Sequence, residues 1–128
     1  MKYVYPVVFE DDEGKVGVTV PDLPGCYTFG DTMAEAIEMA QDAMGMWLSD
    51  CEDRHLPIPV ATPLKKVQAS GTVSLVLADT DKWRRQFDNK AVKKTLTIPA
   101  WLNKKAEDAR VNFSQVLQEA LLARLGVQ

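Results

Sequence analysis

One short alternating segment near the end of the chain constrains the fold more than any other feature. Residues 93–98 read Lys-Lys-Thr-Leu-Thr-Ile, and Pro99 ends the pattern. Alternation is the period of a β-strand, yet the residues that follow have helical spacing and supply no second strand. A lone strand with two helices buries too little surface to fold by itself. The segment therefore predicts a homodimer in which two copies of Lys93–Ile98 pair antiparallel about a two-fold axis.

Two helices complete this C-terminal segment. The first begins with Pro99 or Ala100 in its first turn, where proline is best tolerated. Asn112 suits a left-handed helix end, and Ser114 is predicted to be the N-cap of a final helix that runs to Gly126. The residues expected to form the buried stripe of the first helix are Trp101, Leu102, Ala106 and Ala109.

The first half of the chain predicts an α+β unit of order β-β-β-α-β. Pro6 favours an edge position or an irregularity in the first strand. Asp31 or Thr32 is expected to cap the helix, and Asp79 to Asp81 to cap a short further helix. The strand segments are 3–9, 15–20, 26–29 and 72–78. The apolar stripe predicted for the helix is Met33, Ile37, Ala40, Met44, Trp47, Leu48 and Cys51.

Length and composition indicate a small soluble protein of one domain or two small ones. The chain has 128 residues, of which 46% are hydrophobic and 26% charged. It contains no apolar run long enough to span a membrane and no pattern typical of a secretory signal. Two cysteines, Cys26 and Cys51, are too few for a disulfide scaffold and are expected to fill core space. We therefore expect a cytoplasmic protein without metal or cofactor.

The charge is divided unevenly along the chain. Residues 1–81 carry five basic and 14 acidic side chains, a net charge of −9. Residues 82–128 carry ten basic and four acidic side chains, a net charge of +6. Such a division favours two partners of opposite sign, and the basic half is a candidate for binding nucleic acid.

Specific motifs resemble a known family. The segment 94–99, its two helices and the Asn112-Phe113-Ser114 turn resemble the ribbon-helix-helix DNA-binding fold. The first half is similar to the N-terminal domain of HicB antitoxins. The motifs that carry this second resemblance are Phe9…Asp12…Gly14, Val20-Pro21-Asp22-Leu23-Pro24-Gly25-Cys26, Thr28-Phe29-Gly30-Asp31-Thr32 and Ile58-Pro59.

The resemblance implies an architecture and a function. It implies a partial RNase H-like domain over residues 1–80, a linker or short helix over 81–91, and a ribbon-helix-helix domain over 92–128. It also implies an antitoxin, not an enzyme, that binds a small basic RNA-cleaving toxin of the HicA type. Such proteins also bind their own operator and repress transcription, as a dimer or, if the N-terminal domain self-associates, a tetramer.

The dimer model assigns DNA contacts to particular side chains. Outward-facing Lys93, Thr95 and Thr97 are the candidates for base contacts, because a two-stranded ribbon fits the major groove. Lys90 and Lys94 are candidates for phosphate contacts. Ser114, at the start of the last helix, is a further phosphate candidate, because free amides at a helix N-terminus attract anions.

The acidic residues are assigned to the toxin. Asp11, Asp12, Glu13 and Asp22 lie in predicted turns and would face its basic surface. A metal-dependent nuclease would need several carboxylates gathered around metal ions, and nothing in their spacing brings three together. A ligand-sensing repressor without a toxin stays an alternative. The role of Trp83, at a domain junction or as a partner anchor, is left open.

Overall fold

The computed structural model describes residues 1–127 and divides into two units, Met1–Lys90 and a second unit from Ala91 onward. Gln128, the last residue of the predicted 92–128 segment, lies outside the described residues. The elements of the first unit are β1 (Lys2–Asp12), β2 (Lys15–Thr19), β3 (Tyr27–Gly30), α1 (Met33–Asp53), a 3₁₀ turn (Leu64–Lys66), β4 (Thr72–Asp79) and α2 (Thr80–Phe87). Those of the second unit are α3 (Ala100–Asp108) and α4 (Phe113–Leu125).

The first unit is a four-stranded antiparallel sheet with α1 packed on one face. The strand order is β3-β2-β1-β4, so β1 is central, with β2 and β4 on its two sides. This confirms the predicted α+β class and the β-β-β-α-β order. Alternate side chains of β1, including Tyr5, Val7 and Phe9, enter the core that the sheet shares with α1.

Pro6 lies in a central strand and breaks no sheet hydrogen bond. The pairing of β1 with β2 begins only at Val8, whereas its pairing with β4 extends from Lys2 to Phe9. At Pro6, β1 therefore has a neighbouring strand on one side only. The edge prediction holds locally, because a residue without an N–H is tolerated where no strand faces its nitrogen.

The buried stripe of α1 differs from the predicted one at its beginning. Ala36, Ala40, Met44 and Leu48 are fully buried, whereas Met33 and Ile37 are exposed. The backbone of α1 at Ala36 lies against Gly30 at the end of β3, where an added Cβ would lie 2.5 Å from the Ala36 nitrogen. Residue 30 therefore has to be a glycine, and the side of the helix that carries Ala36 and Ala40 is the one turned to the sheet. As predicted, Thr32 caps the helix, accepting a hydrogen bond from the Glu35 N–H.

Helix α2 packs against α1 within the first unit. Asp79 caps it by accepting hydrogen bonds from the amides of Asp81 and Lys82. The Trp83 indole lies over Gly45 of α1, and its ring centroid is 5.6 Å from that of Phe87. Trp83 therefore packs against a helix of the N-terminal unit.

Hydrogen bonds to Glu52 connect β1, α1 and α2. Its carboxylate accepts from Tyr3 Oη at 2.7 Å, Thr80 Oγ1 at 3.1 Å and Arg84 Nη2 at 3.1 Å. Arg84 also pairs with Asp53 at 2.9 Å. Two separate helices and the first strand thus meet at one carboxylate.

Over its described residues, 91–127, the second unit forms two helices, and none of their residues is buried. Trp101 is 65% exposed and Leu125 is 72% exposed. The buried stripe predicted for α3 is therefore uncovered in the single chain. The other large apolar side chains exposed in this unit are Val92, Leu96, Ile98, Leu102, Phe113, Val116, Leu121 and Leu122.

The turn between α3 and α4 corrects two predicted caps. Arg110, with φ of 56°, takes the left-handed conformation expected of Asn112. Asn112 is instead the N-cap of α4, accepting from the Gln115 amide at 3.1 Å, and Ser114 lies inside the first turn. The chain reverses two residues earlier than predicted, so the cap position moves from Ser114 to Asn112.

Candidate functional site

The β1–β2 hairpin carries exposed carboxylates at its tip. Its register pairs Asp12 with Lys15, so Glu13 and Gly14 form a two-residue turn. Both have positive φ, 52° and 85°, as a tight hairpin turn that follows the strand twist requires. Asp11, Asp12 and Glu13 are all exposed, and none forms an ion pair among the residues described here. Three of the four predicted toxin-facing residues are thus solvated and free to meet a cation.

Asp22, the fourth predicted toxin-facing residue, forms hydrogen bonds within the chain. Its two carboxylate oxygens accept from the Thr62 amide at 2.9 Å and from Thr62 Oγ1 at 2.6 Å. The turn around it is fixed by backbone hydrogen bonds, including Val20 N–H to the Cys26 carbonyl at 3.0 Å. Asp22 therefore ties this turn to the loop after α1, and its setting differs from that of the hairpin-tip residues.

The sheet has an outer face, defined as the face opposite α1. By alternation and register it carries the β1 side chains Val4, Pro6, Val8, Glu10 and Asp12, together with their cross-strand neighbours on the other strands. Near the hairpin this face holds an open depression of about 460 Å³, whose lining residues include Glu10, Asp11, Asp12, Thr19 and Tyr27. The depression combines carboxylates with an aromatic side chain.

Two aromatic residues on this face were missed by the sequence reasoning. Tyr27 is 73% exposed, and Phe29 is also exposed, although both lie in a β-strand. The Lys15 ammonium lies 4.9 Å from the centre of the Phe29 ring. The signal in the sequence was the alternation Tyr27-Thr28-Phe29, which places both rings on one side of an edge strand. Exposed aromatic side chains are enriched at surfaces that bind another protein.

A second depression, of about 280 Å³, lies between α1 and α2. It is lined by Glu38, Gln41, Asp42, Asp79, Lys82, Trp83 and Gln86. Burial and the neighbouring Glu38 raise the pKa of Asp42, while Lys82 opposes them. The lining is mainly charged and amide groups, which differs from the apolar cavity typical of small-molecule sites.

The Glu52 cluster has perturbed acid–base equilibria. Burial, and then the hydrogen bond to Glu52, raises the pKa of Tyr3 to about 12. Burial alone would raise the pKa of Glu52, but the hydrogen bonds from Tyr3, Arg84 and Thr80 outweigh it and lower that pKa. Both shifts favour the ionised carboxylate beside the neutral phenol, which stabilises the contact between β1, α1 and α2.

The predicted DNA-contact residues lie in one exposed segment and at one helix start. Residues 88–99 carry no helix or strand in the single chain, and the predicted strand 93–98 has no partner among the residues described. Because a strand is defined by hydrogen bonds to its neighbour, its pairing stays a prediction. The exposed side chains of this segment are Lys90, Lys93, Lys94, Thr95 and Thr97, and Ser114 is exposed in the first turn of α4.

Several other groups have simple structural settings. Cys26 and Cys51 are buried free thiols, as expected for core positions, and burial raises the pKa of Cys26 to about 11. Over residues 1–127, no cluster of three or more His, Cys, Asp or Glu side chains is placed to hold a metal ion. Within the same span, no helix is long and apolar enough to cross a membrane.

A family model matches nearly the whole chain, and known proteins match parts of it. The family model for the HicB-like antitoxin of bacterial toxin–antitoxin systems matches residues 5–126. Antitoxin HicB 2 of Photorhabdus laumondii is 36% identical over 80 residues, covering 59% of this chain and 58% of that protein. An uncharacterised 14.9 kDa protein of Haemophilus phage HP1 is 27% identical over 100 residues, covering 77% of this chain and 75% of that one.

The fold also resembles solved structures. A chain of a toxin–antitoxin complex from Streptococcus pneumoniae superposes with a TM-score of 0.63 at 23% identity, covering 97% of this chain and 99% of that chain. The antitoxin HicB of Burkholderia pseudomallei superposes with a TM-score of 0.55 at 23% identity, covering 96% and 98%. At this identity the likeness concerns the fold, and the family model carries the assignment. The chain belongs to the HicB-like antitoxin family of bacterial toxin–antitoxin systems.

Proposed function

We propose that this chain neutralises a basic, HicA-type RNA-cleaving toxin through its N-terminal unit and represses its own operon through its C-terminal unit. The observation that carries the proposal is the opposite charge of the two units. Residues 1–90 contain nine basic and 15 acidic side chains, a net charge of −6, and residues 91–128 contain six and three, a net charge of +3. This difference in net charge is smaller than the difference between residues 1–81 and residues 82–128. One of the basic residues that moves to the first unit, Arg84, is paired internally.

The toxin is proposed to bind at the hairpin tip and the adjacent outer face. Asp11, Asp12 and Glu13 supply charge that no group of the described chain neutralises, and Tyr27 supplies apolar area beside them. Charge complementarity accelerates the encounter, while a desolvated aromatic contact prolongs the complex. Asp22 is also proposed to contact the toxin. Its carboxylate at the same time accepts a hydrogen bond from Thr62.

The C-terminal unit is proposed to be a ribbon-helix-helix dimer of β-α-α chains. The uncovered apolar side chains of α3 and α4, with Leu96 and Ile98 before them, support this, because a unit without a buried residue needs a partner to form a core. In the antiparallel ribbon Lys93, Thr95 and Thr97 face the major groove. Lys90 and Lys94 contact phosphates, and Ser114 and the amides around it bind a phosphate at the start of α4.

The N-terminal unit is proposed to be a partial RNase H-like domain that acts by binding and not by catalysis. The placement of the carboxylates supports this. Among residues 1–127 no three His, Cys, Asp or Glu side chains are grouped to hold a metal ion, and the carboxylate of Asp22 is held by Thr62. Nuclease chemistry at two metal ions would need several carboxylates directed at one point.

The proposal is tested by purifying the tagged full chain from its native host and identifying bound proteins by mass spectrometry. We expect a small basic protein in near-stoichiometric amount that only denaturant releases. In the same preparation, binding to the DNA upstream of its own gene is measured against random DNA at fixed salt. Recovery of the chain alone, with equal affinity for both DNAs, would overturn both parts. Promoter binding that changes with a small molecule, without a toxin, would favour the ligand-sensing repressor.

A further inference from the structure

Gly17 leaves a gap in the outer face of the sheet. In the register it lies on β2 between Glu10 of β1 and Phe29 of β3. Because β1 and β3 are two strand spacings apart, about 10 Å, the missing side chain leaves room for a flat group between them. The depression of about 460 Å³ near the hairpin lies here. We call its outer-face part the Gly17 notch, which is formed by Glu10, Asp12, Gly17, Thr19 and Tyr27.

Neither the backbone nor the core requires a glycine at residue 17. The φ angle of Gly17 lies outside the left-handed region, and an added Cβ would meet only the Glu10 carbonyl oxygen, at 3.6 Å, which is an ordinary contact. A glycine inside a strand weakens the strand, and it often marks a place where a ligand or another backbone approaches closely. The absence of a side chain at residue 17 is therefore a property of the surface, and it keeps the notch open.

The two sides of the notch differ in chemistry. On β1, Glu10 and Asp12 are exposed, and neither forms an ion pair within residues 1–127. Glu10 accepts one hydrogen bond, from Ser70 Oγ at 3.0 Å, through Oε1. On β3, the side chain of Tyr27 is 73% exposed. Carboxylates that accept hydrogen bonds beside an aromatic face are the surroundings that a guanidinium group prefers.

A cation of the chain itself already lies over the neighbouring ring. Lys15 is opposite Asp12 in the register, yet its ammonium lies 4.9 Å from the centre of the Phe29 ring and pairs with no carboxylate of residues 1–127. Over the same residues, no cation lies over the ring of Tyr27 in this way. Asp12 and Tyr27 thus offer the partners of a cation that the described part of the chain does not supply.

We propose that the Gly17 notch binds an arginine side chain of a basic partner protein, with the guanidinium stacked on Tyr27 and hydrogen-bonded to Glu10 and Asp12. The inference rests on the proposed function for the identity of the partner, but not for the chemistry of the notch. Arginine fits better than lysine, because its flat group stacks on a ring and donates parallel hydrogen bonds at once, whereas an ammonium is a strongly hydrated point charge. The hairpin tip supplies charge, and the notch adds a requirement for shape.

The first experiment tests the notch without any partner protein. Acetyl-arginine-N-methylamide is titrated into the full chain, and the amide resonances of Gly17, Thr19 and Tyr27 are followed by NMR. We expect weak, saturable binding that shifts these three resonances. The citrulline analogue, which has the same shape without the charge, is expected to bind about tenfold more weakly or less, and the lysine analogue about threefold more weakly. Equal binding of arginine and citrulline, or tighter binding of lysine, overturns the proposal.

The second experiment fills the notch without changing any charge. Gly17→Val is expected to fold, because valine is favoured in strands, and to weaken binding of the arginine compound by about tenfold or more. The matched control is Val4→Phe, which adds bulk to the outer face away from the notch and is expected to keep the wild-type affinity. If Gly17→Val fails to fold, Tyr27→Leu at its exposed position replaces it, with the same expected loss. Wild-type affinity in the folded variant overturns the proposal.

The toxin, where it is recovered with the chain, gives a separate test. Gly17→Val is expected to raise the toxin dissociation rate about tenfold and to leave the association rate unchanged, because the long-range charge is intact. An unchanged dissociation rate overturns the notch while the proposed function stands. Binding of the arginine compound by a chain that has no toxin supports the notch while the proposed function fails.

Discussion

The indole of Trp83 packs directly on Gly45, where an added Cβ would lie 2.8 Å from three atoms of the Trp83 side chain. Glycine in the middle of a helix normally costs about 1 kcal/mol relative to alanine. Here the close contact reverses the usual sign. Because the nearest atoms belong to the rigid base of the side chain, the tryptophan cannot move aside without shifting α2.

Gly45→Ala is therefore expected to destabilise the N-terminal unit, by about 1–2 kcal/mol after the gain in helix propensity is subtracted from the cost of overpacking. The measurement is urea unfolding of the full chain. In a Trp83→Ala background the same substitution is expected to be neutral or stabilising, because the obstructing ring is gone. If Gly45→Ala destabilises both backgrounds equally, the contact is not the cause.

Asp22 and Thr62 permit a test that separates structure from recognition. Thr62→Val removes the hydroxyl at 2.6 Å from Asp22 Oδ1 and is expected to cost about 1–3 kcal/mol of unfolding free energy. Asp22→Asn is expected to destabilise by a similar amount. If Asp22 also contacts the toxin, Asp22→Asn lowers toxin affinity while Thr62→Val does not. Equal toxin affinity for the two variants would assign Asp22 a purely structural role.

The hairpin tip is expected to govern the rate of toxin association. The double variant Asp11→Asn with Asp12→Asn is expected to slow association several-fold at low salt and to change the unfolding free energy little, because both side chains are exposed and unpaired. Stopped-flow binding at several salt concentrations measures the effect. The control is Asp31→Asn with Glu35→Gln, which removes the same charge beside α1. Equal slowing by both pairs would indicate a general charge effect and not a contact at the tip.

The ribbon residues are expected to divide into two classes. Thr97→Ala should cost about 1–3 kcal/mol of discrimination at one base pair, whereas Lys94→Ala should weaken binding to all sequences and flatten the salt dependence. Titrations on operator and random DNA distinguish them. Lys104→Ala, which removes the same charge from exposed α3, is the control for Lys94. Equal loss on both DNAs for Thr97→Ala would contradict its assignment to a base.

The Glu52 cluster predicts stability losses at both ends of the pH range. The folded state lowers the pKa of Glu52, so its contribution is present above the ordinary value of 4.5 and is lost as the pH falls below it. The folded state raises the pKa of Tyr3 from 10.0 to about 12, so that contribution is present below 10 and is lost as the pH rises through this window. Unfolding free energies of Glu52→Gln and Tyr3→Phe should show weaker acid and alkaline dependence, respectively. If both variants keep the wild-type pH dependence of the unfolding free energy, the Glu52 cluster is not the source of that dependence.

Local sequence signals predicted the order of helices and strands. Tertiary contacts determine which face of α1 is buried and how Asp22 is held. Period-two alternation and turn residues located the strands, because both signals act over a few residues. The stripe of α1 was wrong at Met33 and Ile37 because their size suggested burial, whereas the close approach of the helix backbone to Gly30 turns the side with Ala36 to the sheet. The Asp22–Thr62 bond joins residues 40 positions apart, which no local pattern reveals. The strand predicted over 93–98 has no partner strand among residues 1–127, so its pairing stays a prediction.

The central position of β1 has a consequence for how the protein is made. Lys2 pairs with Asp79. Strand β1, the first strand of this sheet to leave the ribosome, therefore cannot complete its pairing until β4, the last strand of the sheet, is available. The hairpin with β2 is local and can form early, but the core closes only once β4 has emerged. The N-terminal unit is then expected to fold before the second unit, because domains generally fold as units in order of synthesis. The acidic unit therefore precedes the basic unit in folding as well as in sequence.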